Sequence, residues 1–232
     1  MKTICIMCSA LVSVMMGCSD DTDPPWQLDH DRIIAVRATP PRVAAGEQAT
    51  IDALVGFRGA PVAELAPDSV TVESPASLAA TVSRGSAGWT VTAPSAEQLA
   101  AARGELGLAA GALVPLSIRA GYTQSGLFAT KTVWLGGDAT NPTMTGVTVD
   151  RGDPGDTEIV VDPLVDVPLS IGFDDVRYDV TWLSSCGTMH DFDLPTAYLR
   201  VEADDPTSGQ LAVVVRDDSG GVGWRIWSIR TR

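Results

Sequence analysis

The chain alternates apolar and polar residues in short runs separated by Gly-, Pro- and Asp-rich turns, which is the period of half-buried β-strands. "IIAVRATPPRVAAGEQ" (33–48) predicts a first strand broken at Pro40-Pro41, as an edge strand does when it switches sheets. "ATIDALVGF" places Ile51, Ala53, Val55 and Phe57 on one face. "SVTVES" is a short strand, and "LAATVS" and "GWTVTA" flank the turn "RGSAG", with Trp89 and Val91 directed inward. A single helix is predicted over "SAEQLAAARGELGLAAG". Ser95 and Gln98 stand at capping-box spacing, Leu99, Ala102 and Leu106 share a face, and Gly107 and Gly111 offer stops. "LVPLSIRAGY" and "LFATKTVWLG" then form a hairpin across "TQSG".

"GGDATNPT" reads as a linker, after which the β pattern resumes. "MTGVTVD", "TEIVVD" and "VDVPLSIGF" come first, the last alternating Val165, Val167, Leu169, Ile171 and Phe173. "RYDVTWL" puts Tyr178, Val180 and Trp182 on one face. "TAYLRVEA" follows, and "QLAVVVRD", "DSGG" and "VGWRIWSIR" close the chain as a hairpin. The fold expected is therefore all-β: two sandwiches in tandem, residues 31–136 and 141–232, joined by 137–140, with one short helix in the first. Each has about the 100 residues of an immunoglobulin-like domain. No sequence repeat relates the halves. The strand pattern, Trp182 on a central strand and the turn Asp217 to Gly220 resemble bacterial Ig-like modules of the PKD and fibronectin type III kind, which also lack an inter-sheet disulfide.

The N-terminus follows a different pattern. "MK" precedes the uncharged apolar run "ICIMCSALVSVMMG" (4–17), which is the length of a signal-peptide core and short for a membrane span. "MMGC" (15–18) resembles the lipobox of bacterial lipoproteins. That resemblance implies a signal peptide over 1–17 and lipidation of Cys18, palmitate included, as the mature N-terminus. It also implies a place in the bacterial cell envelope, with Ser19 after the cysteine favouring the outer membrane. Several acyl chains, each methylene adding about 0.8 kcal/mol, hold a soluble domain on a bilayer. Residues 18–30, acidic and carrying Pro24-Pro25, read as a tether in which Trp26 and Leu28 dock on the first domain.

Charge narrows the partners. With 16 basic and 29 acidic residues the net charge is −13, which disfavours nucleic acid and makes membrane contact depend on an anchor. An envelope protein or a glycan is the expected partner class.

The chemistry-bearing residues are few. No motif of a serine hydrolase, zinc protease, P-loop or dinucleotide site occurs, and there are two histidines, His30 and His190. Of four cysteines, Cys186 alone remains after Cys5, Cys8 and Cys18 are assigned to the leader and anchor. "SSCGTMHDFD" (184–193) gathers Cys186, Met189, His190, Asp191 and Asp193. It suits a soft metal or a Cys–His nucleophile in ligand type, but no second histidine or cysteine completes either site. It is read instead as an ordered loop and, together with Trp227 on the closing hairpin, as a candidate contact surface. "DRGDPGDTE" (150–158) offers Asp150, Asp153, Asp156 and Glu158 as calcium-type ligands, without EF-hand spacing. The leading expectation is a non-catalytic envelope lipoprotein with no cofactor. The alternatives are metal handling, with calcium at 150–158 or a soft metal at 186–193, and a cysteine-dependent enzyme.

Overall fold

A computed structural model describes residues 23–123, 126–156, 158–172 and 178–232. The leader 1–17, Cys18, the first part of the tether, the turn centre Gln124-Ser125 and Phe173 lie outside the described residues.

Both halves are Ig-like sandwiches. In the first, β1 (Arg32–Thr39), β3 (Gln48–Phe57), β7 (Gly88–Thr92) and β6 (Val82–Gly85) form one sheet in the order β1-β3-β7-β6, and β4 (Ala60–Leu65) pairs with the far part of β3. The other sheet runs β2 (Arg42–Val43), β9 (Leu127–Leu135), β8 (Val114–Tyr122), β5 (Ser69–Ser74). The chain crosses between sheets at Pro40-Pro41: β1 is antiparallel to β3, and β2 is parallel to β9. Two consecutive prolines can donate no ladder hydrogen bond, so the strand must break there. Helix α1 (Ala96–Leu106) closes the connection between the sheets. Ser95 Oγ accepts from Gln98 N at 3.2 Å and Gln98 Oε1 accepts from Ser95 N at 2.8 Å, completing the capping box, and Gly107 ends the helix in a left-handed conformation.

The second half repeats this topology without sequence repetition. One sheet is β10 (Thr145–Val149), β12 (Val167–Gly172), β15 (Thr196–Arg200), β14 (Thr188–His190). The other is β11 (Ile159–Val161), β17 (Val222–Thr231), β16 (Ser208–Asp217), β13 (Tyr178–Ser184), with β11 parallel to β17 as β2 is to β9. Trp182 is completely buried in this core, its Nε1 donating to Leu194 O at 3.1 Å. The turn Asp217 to Gly220 closes with Gly220 N donating to Asp217 O, while Asp217 Oδ1 accepts from Ser219 N and Gly221 N.

Several expectations are corrected. "LAATVS" begins as a 3-10 turn (Ala76–Thr81) and becomes strand only at Val82, and Leu78 on that turn is buried in the first core. Strand β4 was unforeseen, hidden behind Pro61 and the acidic residue Glu64. Val165 lies outside β12 and is 52% exposed, because β12 starts only at Val167. Residues 23–30 are not a free tether. Leu28 N donates to Ser184 O and Ser184 N donates to Trp26 O, both at 3.0 Å, so the segment is bridged to β13 of the second sandwich. Trp26 packs on the second core and not on the first.

Candidate interaction surfaces

The two sandwiches are fused by a third apolar cluster between them. From the first come Ala35 of β1, Leu54 of β3 and Val62 of β4. From the second come Leu183 of β13, Ala212 and Val214 of β16, and Val222 and Trp224 of β17. Leu28 fills the seam from the N-terminal segment. Polar contacts fasten both ends of the seam. Val62 N donates to Gln210 Oε1 at 2.6 Å, Arg216 Nη2 to Ile34 O at 2.8 Å, and Lys131 Nζ to Gly220 O at 2.6 Å. Asn141 in the linker stitches the halves, donating to Ala38 O at 3.0 Å and accepting from Val222 N at 2.9 Å. The second sandwich is thus folded back along the first, its Asp217–Gly220 turn beside β9 and the start of β16 beside β4. The sequence did carry a signal for this. Ala53-Leu54-Val55 and Leu211 to Val215 are apolar without alternation, as strands covered on both faces are.

The loop 184–193 does not assemble a chemical site. Cys186 is fully buried, its Sγ donating to Pro206 O at 2.8 Å, and burial first, then the Asp205 charge, pushes its thiol pKa up. Ser184 Oγ donates to Cys186 O and accepts from Cys186 N, fixing a tight turn. Gly187 turns the chain at φ 89°, where a Cβ would stand 2.5 Å from Arg200 O. Residues 188–190 are not loop but β14, an edge strand in register with β15. Met189 is buried opposite Leu199, and His190 faces outward opposite Tyr198. Alternation along β14 sends Met189 into the core and His190 to solvent, Cys186 is buried in the turn before the strand, and Asp191 and Asp193 are exposed in the turn after it. Among the described residues no group of three His, Cys, Asp or Glu side chains is placed to hold a metal ion.

The acidic turn 150–158 is likewise committed elsewhere. Asp150 and Arg151 take positive φ in a tight turn closed by Val149 and Gly152, and Asp153 Oδ1 caps Gly155 N at 2.9 Å. Asp156 pairs with Arg225 at 3.0 Å and Glu158 with Arg230 at 2.6 Å, and although Asp150, Asp153 and Glu158 border one cavity, no three acidic side chains among the described residues are placed to hold a metal ion.

Trp227 is corrected as a contact residue: it is buried, packed in the second core, with Nε1 donating to Gly155 O at 2.9 Å. Both faces of β17 are covered over 222–227, and beyond the seam Ser228 and Arg230 are exposed. Val222 and Trp224 meet the seam, while Trp227 and Ile229 meet the core. The part of the expected surface that stays accessible is His190, Asp191 and Asp193, joined by Leu194 and Tyr198, which sequence reasoning passed over.

No family model matches the chain, and no curated protein matches it. Among solved structures, the chain is similar to the fibronectin(III)-like modules of Clostridium thermocellum CbhA, with 15% identity, TM-score 0.31, and 85% of this chain against 94% of that one. It is similar to murine CEACAM1b, with 13% identity, TM-score 0.29, and 85% against 100%. A third is a nucleoside hydrolase-related hypothetical protein from Saccharophagus degradans, with 11% identity, TM-score 0.32, and 40% of this chain against 26% of that one, so the chain spans about a quarter of its length. The strand order in each half defines the class: a tandem of Ig-like β-sandwiches.

Proposed function

We propose that the protein is a non-catalytic interaction module of a bacterial cell envelope, lipid-anchored through Cys18, in which two Ig-like sandwiches act as one rigid block. The observation that carries this reading is the apolar seam. Sheet faces that would be free in a flexible tandem are spent on joining the halves, so what the block offers to partners is its remaining outer surface. The outer face of the β10-β12-β15-β14 sheet, with His190, Leu194 and Tyr198, is the proposed contact surface for an envelope protein or glycan. The state of Cys186, buried and held as the neutral thiol, supports a structural role for that residue.

The test is made on the expressed full chain. Wild type is expected to take up a fatty-acid label and float with membranes, and Cys18→Ala to do neither. A Cys18→Ala protein that still partitions with membranes overturns the anchor.

A further inference from the structure

Two adjacent apolar side chains stand in solvent at the turn between β11 and β12: Leu164 is 53% exposed and Val165 52%. Leu164 also holds a left-handed backbone, φ 62°, where Gly or Asn would sit with less strain, so local preference and observed residue disagree at this one turn. The turn is held in place by Leu164 N donating to Val201 O at 2.8 Å. The flanking acids are neutralised: Asp162 pairs with Arg232 at 3.0 Å and Asp166 with Arg200 at 3.1 Å. The tip is thus apolar and exposed, while Arg200 is shared with Glu202 and Val165 borders a cavity that Asp150, Asp153 and Glu158 also line.

Its position bears on the anchor. Val201, which holds Leu164, packs beside Gly187, and Gly187 shares a small cavity with Trp26 and Gln27 of the docked N-terminal segment. The Leu164 turn and the start of the described chain therefore lie at the same end of the block. From Cys18 to Pro24, whose carbonyl accepts from Gln27 N, is six residues, a reach of about 20 Å at full extension. An acyl chain on Cys18 would hold this end, and not the end carrying α1, against the bilayer.

We propose that Leu164 and Val165 form a foot that enters the lipid surface on which the protein is anchored, setting the orientation of the block. The occupant is a zwitterionic lipid surface, since a net charge of −13 is repelled by an anionic one. The proposal rests on the lipid-anchor reading.

The experiment uses the lipidated protein in phosphatidylcholine vesicles carrying a lipid-borne quencher. Val165→Cys, or Ala101→Cys on the exposed face of α1 as the distal control, is labelled with an environment-sensitive fluorophore, Cys186 being buried. The expected result is loss of roughly half or more of the emission at position 165, with a blue shift, and little change at position 101. Protein that floats with the vesicles while both labels stay equally unquenched overturns the foot and leaves the anchor standing. Protein that does not float overturns both. Quenching at 165 that persists in Cys18→Ala shows that the foot binds lipid without the anchor.

Discussion

The guanidinium of Arg37, on β1 of the first sandwich, lies over the indole of Trp224, on β17 of the second, 3.8 Å from the ring centroid. Asp52 holds that guanidinium from the neighbouring strand, Arg37 Nε donating to Asp52 Oδ1 at 3.1 Å. The stacking joins a charged edge to the apolar seam, and a desolvated pair of this kind contributes about 1–2 kcal/mol. Trp224→Ala removes both the stacking and the largest side chain of the seam. The expected cost is about 3–5 kcal/mol, and calorimetry is expected to show one unfolding transition for the wild type and two for the variant. A single transition retained in the variant would mean that the halves are coupled elsewhere.

Leu28 tests the docked N-terminal segment. It is 1% exposed, and its carbonyl passes so close to Gly56 that a Cβ there would stand 2.7 Å away. Leu28→Ala is expected to cost about 2–4 kcal/mol. Gly56→Val should release residues 23–30 to proteases in limited digestion while the sandwiches stay intact. A segment that stays protected in Gly56→Val would show that its docking does not depend on this close approach.

Lys131 makes the seam pH-dependent. Burial lowers its pKa to about 8 against Asp217, which raises it, with Arg216 lowering it further. An unfolded lysine titrates near 10.4. Below pH 8 both states carry the proton and the fold bears the cost of a buried charge. Between about pH 8 and 10.4 the fold has released the proton and the unfolded chain has not, so stability rises with pH across that window. The stability of wild type relative to Lys131→Met, followed by denaturant melts, should increase through it. A difference that does not change with pH would remove Lys131 as the titrating group.

Cys186 should behave as a core residue. In the folded protein a thiol reagent should react many-fold more slowly than after denaturation, at a rate set by opening of the fold. Cys186→Ala is expected to cost about 1–2 kcal/mol. Fast modification under native conditions would return the residue to consideration as chemistry.

Much of the fold is legible in the pattern. Alternation located most strands, Pro40-Pro41 marked the sheet switch, and the Ser95 and Gln98 pair marked the helix start, because each is a local constraint written in neighbouring residues. The candidate site was less legible. "SSCGTMHDFD" shows five ligand types, but edge-strand pairing of residues 188–190 sends alternate side chains in opposite directions, so nearness in sequence does not become convergence in space. Trp227 failed for a related reason: period-2 alternation tells that two faces differ, not which of them is covered.

The sequence by itself determined the class of the protein, since hydrophobic period, turn residues and capping are local and repeat across two stretches of domain length. Tertiary structure decided that the two sandwiches lie back to back, that Trp26 docks on the second sandwich while Leu28 fills the seam between the two, and that Leu164 and Val165 stand outside the block. Those outcomes depend on which faces meet, a matter of contacts between residues more than a hundred positions apart such as Arg216 and Ile34. A pattern read along the chain records which residues avoid water and not which partner removes them from it.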